Sequence, residues 1–218
     1  MLRFTFIYLL QITFIGSFLF IFSCKGDIVD IPPGNDPNFT IISHSDLGFS
    51  STNRKVNVFG VDIYAVSEVN DEKLLHAANV LAQYLDNNED GNVDNNQVHN
   101  KMIENKAFII MWKDDNDLDI DLPNDRIGQD LGDDETNPNF VINNKQGQFD
   151  ASLEEIWHII SHSGYAYAYP EVFGENPGTS LTNAMDIARG GFFTEIPNSY
   201  PSSAWYSYYD YTCEYDCM

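Results

Sequence analysis

Basic residues are scarce in this chain. Its 218 residues include 11 lysines and arginines against 33 aspartates and glutamates, which gives a formal net charge of −22. A surface this negative repels the phosphates of nucleic acids and anionic lipid headgroups, so DNA and RNA are excluded as partners. The same surface attracts cations. A chain this acidic can be disordered, but an aromatic content of 14% indicates a folded domain with a core.

Cysteine is also rare, with three positions near the two ends of the chain. Cys24 follows Arg3 and the apolar run 4–22, which is the pattern of an export signal. Ile21-Phe22-Ser23-Cys24 resembles the lipobox of bacterial lipoproteins. The resemblance implies a signal peptide at residues 1–23, lipidation of Cys24, and a membrane-anchored protein of the bacterial cell envelope, periplasmic or surface-exposed. An uncleaved transmembrane anchor is the alternative, because the run is nearly long enough to span a bilayer.

Lipidation of Cys24 would leave two cysteines near the C-terminus. Cys213 and Cys217 then form a candidate disulfide in an oxidising compartment. A bridge between cysteines so close in sequence is geometrically tight, so free thiols or metal thiolates are the alternatives.

Periodicity predicts a single acidic α+β domain over residues 51–218, behind a tether at residues 24–50. The domain is expected to hold a small sheet, a helix-loop-helix and a His-bearing helix. The predicted elements are a strand or hairpin arm at 55–66, helices at 71–85 and 96–105, a buried strand at 107–112, a helix from about 151 to Gly164, and a helix at 180–189. Residues 113–138, which are polar and acidic, are predicted to form a long surface loop.

The segment DNNEDGNVD at residues 86–94 carries oxygen ligands at alternate positions around a glycine. It resembles the start of an EF-hand loop, here 86–97. The resemblance implies a calcium site whose ligands are Asp86, Asn88, Asp90, Asn92, Asp94 and Gln97. Gln97 stands where that loop has a bidentate glutamate, so we expect a weak site, with Kd about 10⁻⁴–10⁻³ M. A single loop indicates a structural role, and an Asn/Asp-rich turn is the alternative.

The segment EEIWHIISH at residues 154–162 places its polar side chains on one helical face. Imidazoles at i and i+4, His158 and His162, can converge on one cation. We therefore predict a zinc site with Asp186 as third ligand, and Glu171 or Glu175 as its substitutes. The predicted general base is Glu155 or Glu154. A solvated polar face with a Glu154–His158 ion pair is the alternative.

The histidine pair resembles the zinc-binding helix of zincin metallopeptidases. That resemblance implies a peptide-bond hydrolase, although Ile159 occupies the place of the motif's catalytic glutamate. Two functions are thus expected: an exported calcium-binding lipoprotein with a zinc-dependent hydrolase site, or a non-catalytic calcium-stabilised binding or adhesion lipoprotein. In the second case the aromatic segment 200–215 would contact a peptide or glycan ligand, since flat rings stack on such partners. Core packing is the alternative role for these rings.

Overall fold

Five strands form one mixed sheet in a computed structural model that describes residues 39–114, 122–140, 143–144, 147–193, 195 and 197–207. The sheet order follows the chain order. With the helices it makes a single α+β domain, as the sequence predicts. The strands are β1 (Ile42–Ser43), β2 (Arg54–Val58), β3 (Val61–Ala65), β4 (Phe108–Trp112) and β5 (Gly128–Gly132).

The helices lie between and after the strands. Their bounds are α1 (Asp71–Leu85), α2 (Asn96–Glu104), α3 (Ser152–Ile160), a π-helical turn (Ser161–Tyr165), α4 (Ala166–Ala168), α5 (Pro170–Phe173) and α6 (Ser180–Arg189). Helices α1 and α6 have the predicted bounds. Gly190, in the left-handed conformation, ends α6 as its sequence indicates.

The sheet changes direction at β3. Strands β2 and β3 are an antiparallel hairpin around Phe59-Gly60, and β3 pairs in parallel with β4. A parallel pair needs a long crossover, and α1 and α2 provide it. The EF-hand-like loop is therefore part of the crossover that joins two central strands.

The main core lies between the sheet and the helices. Because side chains alternate along a strand, one face of the sheet is apolar and meets α1, α2 and α3. Ile63, Ile109 and Met111 lie fully buried on this face. A smaller cluster covers the opposite face and contains Phe49, Tyr64, Phe108 and Ile110.

Strand β5 lies inside the segment predicted as a surface loop. Its sequence, GQDLG, has glycine at both ends and one buried apolar side chain, Leu131. Local periodicity cannot reveal such a strand, since its stability comes from parallel pairing with β4. The predicted loop is wrong at residues 128–132.

Gly164 does not end the His-bearing helix. The chain continues through the π-helical turn into α4, and Gly164 lies inside that turn. A Cβ at Gly164 would approach Val98 Cγ1 to 2.7 Å and Met102 Cγ to 3.0 Å. The glycine therefore allows α2 to pack closely on the turn, a tertiary requirement that helix-ending rules do not contain.

Candidate functional site

The EF-hand-like loop is closed by its first acidic residue. Asp86 ends α1 and is buried, and its two carboxylate oxygens accept the backbone N–H groups of Asp90 at 3.1 Å and Gly91 at 2.7 Å. Gly91 has φ of +83°, a conformation that other residues rarely adopt. The chain therefore turns sharply where the sequence pattern requires it.

The other polar side chains of the loop form short hydrogen bonds to its backbone. Asn88 Oδ1 accepts the N–H of Asp90 at 2.9 Å, and Asp90 Oδ1 accepts the N–H of Asn92 at 2.9 Å. Asp94 Oδ2 accepts the N–H of Asn87 at 2.8 Å. Asn88, Asp90, Asn92 and Asp94 are all exposed, so a cation would have free access to the loop.

The end of the loop enters α2. Asn95 caps this helix, because its Oδ1 accepts the N–H groups of Gln97 and Val98, each at 3.2 Å. Gln97 lies in the first turn and is exposed. The helix-loop-helix expected from the sequence is present, with α1 before the loop and α2 after it.

The polar face of α3 holds His158 beside Glu155. His158 Nδ1 lies 3.1 Å from Glu155 Oε2, and the same carboxylate oxygen accepts Gln129 Nε2 at 2.6 Å. Glu155 thus links α3 to β5. Glu154, the partner of His158 in the solvated-face alternative, is exposed.

His162 lies one turn further along, in the π-helical turn. Its Nδ1 contacts Glu175 Oε1, a residue of the segment after α5. Glu175 is one of the two substitute ligands that the sequence predicts, and the fold brings it to His162. The other, Glu171, is exposed on α5.

The first-choice third ligand, Asp186, has a different neighbour. Its Oδ1 accepts Nη2 of Arg189 at 2.9 Å, an ion pair within α6 whose arginine is fully buried. Within the ranges that the structure describes, no three or more His, Cys, Asp and Glu side chains are grouped to hold a metal ion. That finding includes the three aspartates of the EF-hand-like loop, Asp86, Asp90 and Asp94.

Glu135 is a site residue that sequence reasoning missed. Burial raises the pKa of its carboxyl, and the negative charges of Glu155, Asp130 and Asp134 raise it further, although the N–H of Gly132 partly offsets this at 2.7 Å. A carboxyl with a raised pKa near a His–Glu pair is suited to proton transfer. In the sequence, Glu135 is one of many acidic residues in the predicted surface loop at residues 113–138, and no pattern distinguishes it from the others.

Two predictions about cysteines, the lipidation of Cys24 and the disulfide between Cys213 and Cys217, concern residues outside the described ranges. The aromatic segment is described only to residue 207, where Trp205 is 74% exposed. In the described part of the chain, no helix combines the length and apolarity needed to cross a bilayer. Comparisons with protein-family models, curated proteins and solved structures found no match to this chain.

Proposed function

We propose that the protein is an exported calcium-binding lipoprotein of the bacterial cell envelope, in which calcium braces the α1–α2 pair. The observation that carries this proposal is the loop closure by Asp86, whose carboxylate accepts the N–H groups at the fifth and sixth positions of the 86–97 segment. Oxygen-only ligands on a tight loop favour a hard cation. The lipobox resemblance at Cys24 supports the anchored location.

Calcium would act on stability through α2. Asp94 donates its N–H to Leu85 O at 2.8 Å, which joins the end of the loop to the end of α1. Helix α2 in turn packs through Val98 and Met102 on the π-helical turn. A cation that neutralises the loop carboxylates therefore stabilises the crossover on which the His-bearing segment rests.

Thermal unfolding with and without calcium tests the proposal. With a Kd of about 10⁻³ M, about 10 mM calcium stabilises the folded state by about 1.4 kcal/mol, which raises Tm by about 3–5 °C. Asp90→Asn keeps the acceptor for Asn92 and removes one ligand charge, so we expect it to weaken calcium binding roughly tenfold. Glu68→Gln, which removes an exposed charge outside the loop, is the control. An unchanged Tm in calcium would refute the site.

A second function, a zinc-dependent hydrolase, is supported by one specific observation. Both histidines have a carboxylate at Nδ1, Glu155 for His158 and Glu175 for His162. Metal-binding histidines characteristically have such a partner on the ring nitrogen that does not bind metal. His162 also lies in a π-helical turn, a feature that is frequent at functional sites. His158 and His162 would hold the zinc, which would supply an activated water; the described residues do not group a third ligand with them, so this site would be incomplete without one from elsewhere.

Metal content separates the two functions. Protein purified without chelator should contain near-stoichiometric zinc if the hydrolase proposal is correct, and His158→Ala should lose it. Calcium without zinc supports the non-catalytic binding or adhesion alternative, in which the aromatic segment beginning at Tyr200 contacts the ligand.

A further inference from the structure

A cavity of about 380 Å³ lies on the sheet face opposite the helices. Its apolar walls come from alternate residues of β4, namely Phe108, Ile110 and Trp112, and from Leu122. Its size is that of a small-molecule site, and Arg126, Gln129 and Asp130 add polar groups to its lining. It is distinct from the EF-hand-like loop and from the histidine pair, which belong to the helical side.

The shape of this cavity depends on Gly128. In the register of β4 and β5, Gly128 is the partner of Phe108, and a Cβ there would collide with the Phe108 ring. The missing side chain lets the ring lie flat over β5. Ile110 and its partner Asp130 follow next along the two strands, on the same face, between Phe108 and Trp112.

One cationic side chain lines the cavity. Arg126 is half-buried, and its Nε is buried without a hydrogen-bond partner. Its guanidinium carbon lies 5.2 Å from the Phe49 ring centroid. Stacking on a ring leaves the in-plane N–H groups of a guanidinium able to bind a carboxylate through two parallel hydrogen bonds.

Arg126 differs from the other described basic residues in its ion pairing. Within the described ranges it forms no ion pair at contact distance, although its charge helps to lower the pKa of the exposed Asp125 carboxyl. The other basic residues of those ranges lie beside carboxylates: Arg54, Lys55, Lys73, Lys101, Lys106, Lys113 and Arg189. A cation that has no ion-pair partner among the described residues is suited to bind an anion from outside the chain.

We propose that this cavity binds a small monocarboxylate with a flat apolar body. The carboxylate would pair with Arg126, and the body would lie between the rings of Phe108 and Trp112. Asp130, which accepts Trp112 Nε1 at 3.1 Å, adds a negative charge to the cavity wall. That charge disfavours ligands with a second carboxylate.

Benzoate, with benzamide as its uncharged counterpart, tests the proposal on the full-length chain by ¹⁵N NMR titration. Benzoate should shift the Trp112 indole N–H and the Gly128 amide and saturate. Benzamide and the Arg126→Gln variant should each weaken binding by roughly tenfold or more, because a charge-assisted pair is lost. Lys101→Gln removes a positive charge outside the cavity and should leave affinity unchanged.

A second variant makes the test independent of the folding of Arg126→Gln. Asp130→Asn keeps an oxygen acceptor for Trp112 and removes the repulsive charge, so benzoate should bind severalfold more tightly. The proposal is overturned by equal affinity for benzoate and benzamide, by unchanged or weaker binding in Asp130→Asn, or by no saturation. Shifts confined to Gly60, Met102 and Lys106 would also overturn it, because these residues line the neighbouring cavity of about 180 Å³, which shares Phe108 and Arg126 with this one but not Trp112 or Gly128.

Discussion

His76 Nε2 lies 2.8 Å from Asp150 Oδ2, and this contact joins α1 to the start of α3 across 74 residues of sequence. The Asp150 side chain is only 4% exposed. Its other oxygen accepts the N–H of Asn137 at 3.0 Å and the hydroxyl of Ser152 at 2.7 Å. One buried carboxylate therefore connects α1, Asn137 and the first residue of α3, the helix that carries His158.

Stability should depend on the charge of Asp150. Burial alone would raise the pKa of this carboxyl, but hydrogen bonds from His76, Asn137 and Ser152 hold the pKa below its usual value. Because the folded-state pKa is depressed, the stabilisation is present above the unfolded pKa of about 3.9 and is lost as pH falls through the folded pKa. Asp150→Asn should lower the free energy of unfolding by about 1 kcal/mol at pH 7. The difference from wild type should shrink toward pH 3.

Urea unfolding at pH 7, 5 and 3 measures this effect. Asp71→Asn is the control, since Asp71 forms its ion pair with Arg54 while 67% exposed, and exposed pairs contribute little. A constant difference between Asp150→Asn and wild type over the whole pH range would contradict the assignment.

Gly164→Ala should destabilise the protein although alanine favours helices. The added Cβ would approach the buried Val98 and Met102 to 3.0 Å or less. Overpacking costs about 1–3 kcal/mol, which outweighs a gain of up to about 1 kcal/mol in helix propensity. Differential scanning calorimetry should give a Tm lower by several degrees. Gly191→Ala, whose Cβ would lie 3.4 Å from the Phe193 ring, is the control and should leave Tm nearly unchanged.

Glu135→Gln should raise Tm by about 1–3 °C at neutral pH. The folded-state pKa of Glu135 is raised by burial and by neighbouring carboxylates, so its ionisation above the unfolded pKa opposes folding. Glutamine keeps an acceptor for the N–H of Gly132 and removes the charge. The gain should shrink as pH falls through the unfolded pKa of about 4.3 and vanish near pH 3, where the carboxyl is protonated in both states. A lower Tm at pH 7 would show that the Glu135 charge is stabilising, against this assignment; Glu104→Gln, exposed on α2, controls for net charge.

Gln97→Glu should tighten calcium binding by roughly tenfold or more, because a bidentate carboxylate would complete the ligand set. Isothermal titration calorimetry measures the change. Asn100→Asp adds the same charge one turn further along α2 and serves as the control. Equal gains in the two variants would indicate a general charge effect and count against a ligand at position 97.

Several elements of this fold follow from local sequence. Helix α1 has a periodic apolar face and an acidic first turn, and α6 ends at a left-handed glycine, so both were predicted with their bounds. The loop turn at Gly91 was likewise predicted, since few residues other than glycine adopt its φ of +83°. These features depend on contacts within a few residues.

The candidate site could be predicted only in part. The shared face of Glu155 and His158 follows from helical spacing, and the structure brings them together. The contacts of Glu155 with Gln129 and of His162 with Glu175 could not be predicted. Gln129 in β5 and Glu175 after α5 approach these residues only in the tertiary fold. The raised pKa of Glu135 likewise arises from neighbours that are distant in sequence.

The sequence by itself determined the acidic character, the helix-loop-helix around Gly91 and the amphipathic pattern of the His-bearing helix, since composition and short-range periodicity set these properties. Tertiary structure decided the partners of each charge. The contacts of Asp150 with His76, of His162 with Glu175 and of Arg126 with the Phe49 ring are outcomes of how the sheet and helices pack. Which charged side chains contact each other depends on how distant parts of the chain pack. Local sequence does not reveal which distant residues come together.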